Sequence, residues 1–260
     1  MEKVRYHLLD EIRGFAVLCM IFFHGFYAVD MILGGSWAYT LIRFFDPAEP
    51  YFAALFIFIS GICSTLSSSN FKNFLRLALV AVIISLVTVE GGDMLGLSIG
   101  IYFGVIHCIA LCLLCAAALD KIPMKLPALW LLCAAVLFVL CYEVVFLESF
   151  LPISLLGDTA AAIAWDIRGS WWLLWLGFPS ASVPYMADYF PFIPWVFMFI
   201  MGRAAAKTVK KDGAVVRLAK RQICRPLGFM GRHALWFYLG HQPLIFGVCI
   251  LILKFTGGSI

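Results

Sequence analysis

Three histidines, an arginine and an aspartate stand in or beside stretches that are otherwise apolar, and their types and spacing invite chemistry. Arg13 and His24 are eleven residues apart. On a helix at about 100° and 1.5 Å per residue, that is three turns plus about 20°, so both side chains share one face, about 16 Å apart along the axis. His107 and His241 lie at a similar depth in two later apolar stretches. An imidazole can take a proton from a hydroxyl or amine as it attacks a thioester, which is the chemistry of acyl transfer. Each histidine also has a plainer role as an interhelical hydrogen-bonder. Three at one depth, one aligned with an arginine, point to a site at His24. For His107 and His241 both roles stay open.

The elements that hold these residues are membrane spans. Apolar and aromatic residues make up 63% of the 260 and charged residues 13%, against roughly half and a quarter in a soluble domain. This composition excludes an ordinary soluble enzyme, a disordered tail and a nucleic-acid-binding module, and the net charge of +4 is no nucleic-acid signature. Seven stretches suit spanning helices: about 13–33, 50–67, 74–89, 100–119, 126–147, 188–206 and 232–254. The expected fold is an all-α, polytopic helix bundle, one domain over 1–260 without internal repeats. With the N-terminus cytoplasmic and the C-terminus outside, sixteen of the nineteen Lys and Arg fall on the inner side and three (Arg43, Arg168, Lys254) on the outer. The segment 151–187, with Trp171, Trp172 and Trp175, reads as an interfacial outer lid, and 203–231 as a basic cytoplasmic loop with an amphipathic helix over Lys207–Arg225. Eight of the nine cysteines sit in apolar runs, so they read as small packers, and no metal-type Cys/His spacing occurs.

Ionisable groups near the spans supply the remaining candidates. Arg13, Arg203 and Arg232 each border a span and could hold phosphates, although a basic inner stretch is also a topology and lipid signal. Of the acidic residues on the outer side, Glu143 among them, most read as solvated loop charges. Asp188 differs: it opens the sixth span in a proline-interrupted run, as a helix cap or as a group that orients a catalytic histidine or holds a polar acceptor.

Asp10-x-x-Arg13-Gly14 followed by His24 resembles the first-span motif of transmembrane acyltransferases. Phe56-Ile57-Phe58-Ile59-Ser60-Gly61 resembles their second-span signature. Gly104-Val105-Ile106-His107, Asp188-Tyr189-Phe190-Pro191 and Gly231-Arg232-His233 with Tyr238-Leu239-x-His241-Gln242-Pro243 resemble the bacterial branch similar to the catalytic domain of heparan-α-glucosaminide N-acetyltransferase. The resemblance implies transfer of acetyl from cytoplasmic acetyl-CoA to a carbohydrate acceptor outside the cell membrane. His24 would then be the base, with Asp188, His107 and His241 as further catalytic candidates, and Arg13, Arg203 and Arg232 would hold the donor, with Ser60 and Gly61 leaving room for its arm. No metal is implied, the lipid bilayer is the environment, and a homodimer stays open. The segment between the first two spans, Gly34 to Pro50, reads as an outer loop without histidine. The alternative is a proton-coupled transporter, because buried Arg and His also mark ion paths.

Overall fold

An apolar chain in hydrocarbon has no water to satisfy its amides, so it must bond them within each segment as helix. The computed structural model describes residues 5–95, 100–167, 171–179, 188–210 and 213–256, and among these there is no strand. Lys3, Arg168 and Lys211, all used in the charge count, lie outside the described residues, as does the end of the expected lid, 180–187. The helices are α1 His7–Leu33, α2 Ser36–Phe45, α3 Glu49–Ser64, α4 Asn70–Leu95, α5 Val105–Leu119, α6 Pro127–Phe146, α7 Asp158–Ile167, α8 Phe192–Thr208, α9 Ala214–Ala219, α10 Arg225–Arg232 and α11 Ala234–Phe255, with 3₁₀ turns at Asp46–Ala48 and Trp171–Leu176.

Five of these segments are long and apolar enough to cross a membrane: α1, Ser36–Ser64, α4, α6 and α11. The stretch expected as a fourth span is the shorter α5, whose 15 residues reach about 22 Å against a core of about 30 Å. The sixth expected span starts at Phe192 rather than Asp188. Ile193 is extended (φ −94°, ψ 131°), as expected of a residue before proline, here Pro194.

Two other expectations change. Gly34 to Pro50 is no loop. Only Gly34, in the left-handed region (φ 62°), ends α1, and α2 with a 3₁₀ turn fills most of the rest. The stretch 203–231 is largely helical as well: Arg203 to Thr208 complete α8, and α9 and α10 follow. In place of one amphipathic helix over Lys207–Arg225 there is the six-residue α9, bounded by Gly213 and, further on, by Pro226 in the first turn of α10.

The chain forms two compact units. One is discontinuous and joins 1–59 with 209–260; the other is continuous, 60–208. In the first, α1 is central and packs on α10, α11, α2 and α9. In the second, α6 packs on α8, α4 on α5 and α5 on α8. Its aromatic core gathers around Trp195, 2% exposed, with ring centres of Phe190, Phe138 and Tyr142 at 5.4, 5.6 and 5.9 Å.

Candidate active site

In the discontinuous unit, the first turns of α1 dock on α10 backbone to backbone. A Cβ on Gly14 would overlap the Leu227 carbonyl, and one on Gly231 would overlap the Asp10 carbonyl. Only hydrogen at both positions permits this approach. Arg13 crosses the seam: its guanidinium donates to the Gly231 carbonyl at 3.2 Å and pairs with Asp10 at 3.6 Å. It thereby satisfies a carbonyl that the end of α10 leaves open. Asp10 also takes Arg5 at 3.1 Å. Arg232, on the last turn of α10, is exposed and lies 6.0 Å from the Phe229 ring centre.

Farther along α1, His24 meets α11. Its ring centre is 5.3 Å from that of His241, and Gln242 Nε2 comes to 3.5 Å from His24 Nδ1. His241 is 6% exposed, and its Nδ1 lies 2.7 Å from the Tyr238 carbonyl oxygen. A carbonyl only accepts, so that nitrogen carries a proton and the neutral ring leaves Nε2 bare. Nε2 is buried with no partner among the described residues. Pro243, inside α11, lacks the N–H that would bond the carbonyl one turn back. His241 also lines a cavity of about 440 Å³ with Ile21, Trp236, Phe237, Leu244 and Ile245. A second cavity of the same unit, about 300 Å³, is walled by Cys19, Phe22, Phe23, Phe26, Phe45 and Phe52.

The other candidates belong to the continuous unit. His107 uses both ring nitrogens: Gly104 N–H donates to Nδ1 at 3.2 Å, and Nε2 lies 3.0 Å from Ser85 Oγ. Ser85 donates its own proton to the Ile101 carbonyl at 2.7 Å, so it accepts from His107 Nε2–H. No lone pair on that ring is left to take a proton. Asp188 is 1% exposed, and its carboxylate stands against Gly104 at the N-terminus of α5, where the helix dipole favours an anion.

Arg203 is 1% exposed. It donates to Ser64 Oγ at 2.7 Å and to Asp120 at 2.6 Å. Asn70 ties the same carboxylate at 2.7 Å and the Ser64 carbonyl at 3.0 Å. Burial pushes the Asp120 carboxyl up, but the hydrogen bonds from Arg203 and Asn70 outweigh it and hold the pKa below the usual value. Gly61 allows α3 to approach α8, because a Cβ there would overlap the Phe199 carbonyl. Ser60 is half-buried in α3.

Two carboxylates carry more than the sequence suggested. Glu143, expected as a solvated charge, is 2% exposed. It accepts from the backbone N–H of Leu155 (2.8 Å) and Leu156 (2.7 Å) and from the hydroxyls of Ser149 (3.0 Å) and Ser154 (3.3 Å). Glu11, 4% exposed, accepts from the Ile223 N–H at 2.8 Å and so fastens the segment before α10 to α1. The signal for Glu143 was its place on an apolar helix with two serines six and eleven residues later; Glu11 gave none. Among the described residues, no group of three or more His, Cys, Asp or Glu could hold a metal.

These features define a helical membrane protein in which one unit gathers a histidine pair, Arg13 and Arg232, and the other unit keeps His107, Asp188 and Arg203 in its framework. The chain belongs to the family described as heparan-alpha-glucosaminide N-acetyltransferase, catalytic, whose family model matches residues 5–243. The match runs through both compact units. Membership makes the protein a membrane acetyltransferase by class. No curated protein and no solved structure matches the chain.

Proposed function

We propose that this chain moves an acetyl group from cytoplasmic acetyl-CoA to a carbohydrate acceptor, a glycan or amino sugar, on the outer side of the cell membrane. The observation that carries this is the His24–His241 pair, 5.3 Å between ring centres, with His24 on the same helix as Arg13 and both histidines in the same unit as Arg232. In this reading the donor's phosphates meet Arg232, which is exposed, and Arg13. The pantetheine arm follows α1 for about 16 Å to the histidines.

Proton transfer takes place at the histidine pair as the acceptor's oxygen or nitrogen attacks the thioester carbonyl. Arg203 and Gly61 are left out of the donor site, and His107 and Asp188 out of the reacting centre, because their polar groups or packing serve the continuous unit. Acetyl-CoA and purified protein in detergent test the proposal. Wild-type protein should release CoA, faster with an amino sugar present, and the His24→Ala/His241→Ala double variant should not. A proton-coupled carrier would release no CoA in either form.

A further inference from the structure

Within that acetyltransferase reading, the hydrogen bonds around the pair give its two rings different tautomers. His241 has its proton on Nδ1, held by the Tyr238 carbonyl at 2.7 Å. Its Nε2 is therefore a bare lone pair, buried and without a partner among the described residues. Leaving an acceptor buried and unmet is unfavourable, and such an atom calls for a donor that arrives later. His24 is arranged the other way. With the Gln242 amide donating toward Nδ1 across 3.5 Å, the neutral ring keeps its proton on Nε2. One imidazole of the pair thus offers an acceptor and the other a donor. His241 also forms part of the wall of the cavity with Ile21, Trp236, Phe237, Leu244 and Ile245, an apolar setting in which a single polar contact fixes orientation.

We propose that His241, through Nε2, is the base that takes the proton of the acceptor's hydroxyl or amine, and that His24, through Nε2–H, donates to the thioester carbonyl oxygen as charge develops on it. The acceptor's oxygen or nitrogen forms the new bond to the acetyl carbon. The carbon–sulfur bond breaks, and the proton held on His241 passes to the leaving sulfur, giving free CoA with its thiol. No further reactant is needed. The family resemblance implied His24 as the base; the hydrogen bonds assign it the donor's part.

The test uses isosteres. His241→Asn places an amide N–H near the position of Nδ1, keeps a donor for the Tyr238 carbonyl and removes Nε2. His24→Gln places an amide N–H near the position of Nε2 and cannot take up a proton. CoA release from acetyl-CoA, with glucosamine as acceptor, is followed between pH 5 and 9, with CoA affinity by calorimetry and thermal unfolding as controls. His241→Asn should lose about 10²–10⁴-fold in rate together with the rising limb of the pH profile, at unchanged CoA affinity. His241→Gln should do the same, which guards against one variant that fails to fold. His24→Gln should stay within about tenfold and keep the rising limb, while His24→Ala falls about 10²–10³-fold, the usual cost of one oxyanion donor. Near-full activity in either folded His241 variant overturns the proposal. So does a His24→Gln variant that loses the rising limb, which would return the base to His24. CoA release that survives in the double alanine variant removes the pair from the reaction, and absence of release from wild-type protein removes the acetyltransferase reading beneath it.

Discussion

Replacing Arg203 by methionine separates its two roles, phosphate ligand and internal tie. The guanidinium makes two charge-assisted bonds, to Ser64 Oγ at 2.7 Å and to Asp120 Oδ1 at 2.6 Å. Bonds of this kind contribute about 1.5–3 kcal/mol each. The Asp120 side chain is 45% exposed, so water takes over at that end and its share falls below about 1 kcal/mol. Ser64, 3% exposed, has no such recourse, although its hydroxyl still donates to the Gly61 carbonyl at 2.6 Å. Methionine fills most of the vacated volume, which keeps the packing term small. The expected net loss is about 2 kcal/mol, or roughly 4–8 °C in Tm for a chain of this size. Thermal unfolding in detergent reads the Tm, and calorimetry reads acetyl-CoA affinity, which should stay within about threefold of wild type. An unchanged Tm with affinity down tenfold or more would refute the reasoning and return Arg203 to the donor site.

Other expected outcomes follow from the same geometry. Gly14→Ala and Gly231→Ala should each destabilise by about 1–3 kcal/mol, since their new methyl groups meet backbone that cannot step aside; Gly91→Ala and Gly247→Ala, with nothing within 4 Å of a Cβ, should be neutral or stabilising by up to about 1 kcal/mol in thermal unfolding. Asp120 has a depressed folded pKa, so its contribution is present above its unfolded pKa of about 3.9 and is lost as pH falls through the lower folded value; acid unfolding curves should flatten below about pH 4 in Asp120→Asn, and identical curves would dismiss the tie. Glu143→Gln should speed hydrogen exchange at the Leu155 and Leu156 amides by tenfold or more, because the amide brings donors where four donors already converge. Cysteine at Asp93 should react with an impermeant maleimide on intact cells above the parent's background, and cysteine at Lys210 only after lysis; labelling of Lys210→Cys on intact cells would reverse the proposed sidedness.

The spans were legible because burial in hydrocarbon writes itself into composition, and the long helices α1, α4, α6 and α11 lie where unbroken apolar runs stood. Helices at 36–45 and 225–232 were not legible, because they are short and depend on packing against α1 more than on their own pattern. The meeting of His24 with His241 could be expected from depth alone. The bonding of His107 could not: nothing in Gly104-Val105-Ile106-His107 announces that Ser85, on another helix, completes it. Arg13-Gly14 reads in sequence as a ligand motif, whereas its atoms first serve the contact with Gly231. Sequence spacing reports which face a side chain occupies, not which carbonyl lies opposite.

The discontinuous unit has a consequence for biosynthesis. Residues 60–208 form a continuous unit whose contacts can close while the ribosome is still at work, and the Glu143 bonds to Leu155 and Leu156 span only about a dozen residues. His24, by contrast, leaves the ribosome long before His241, and α1 must wait in the bilayer for α10 and α11 to be translated. Contacts across such a sequence distance form slowly and last. During that interval Glu11 and Arg13 lack the Ile223 N–H and the Gly231 carbonyl that they later bond, so the insertion machinery meets the chain in a more polar state. The histidine pair comes into being only when its second member has been translated and inserted, after the whole of the continuous unit.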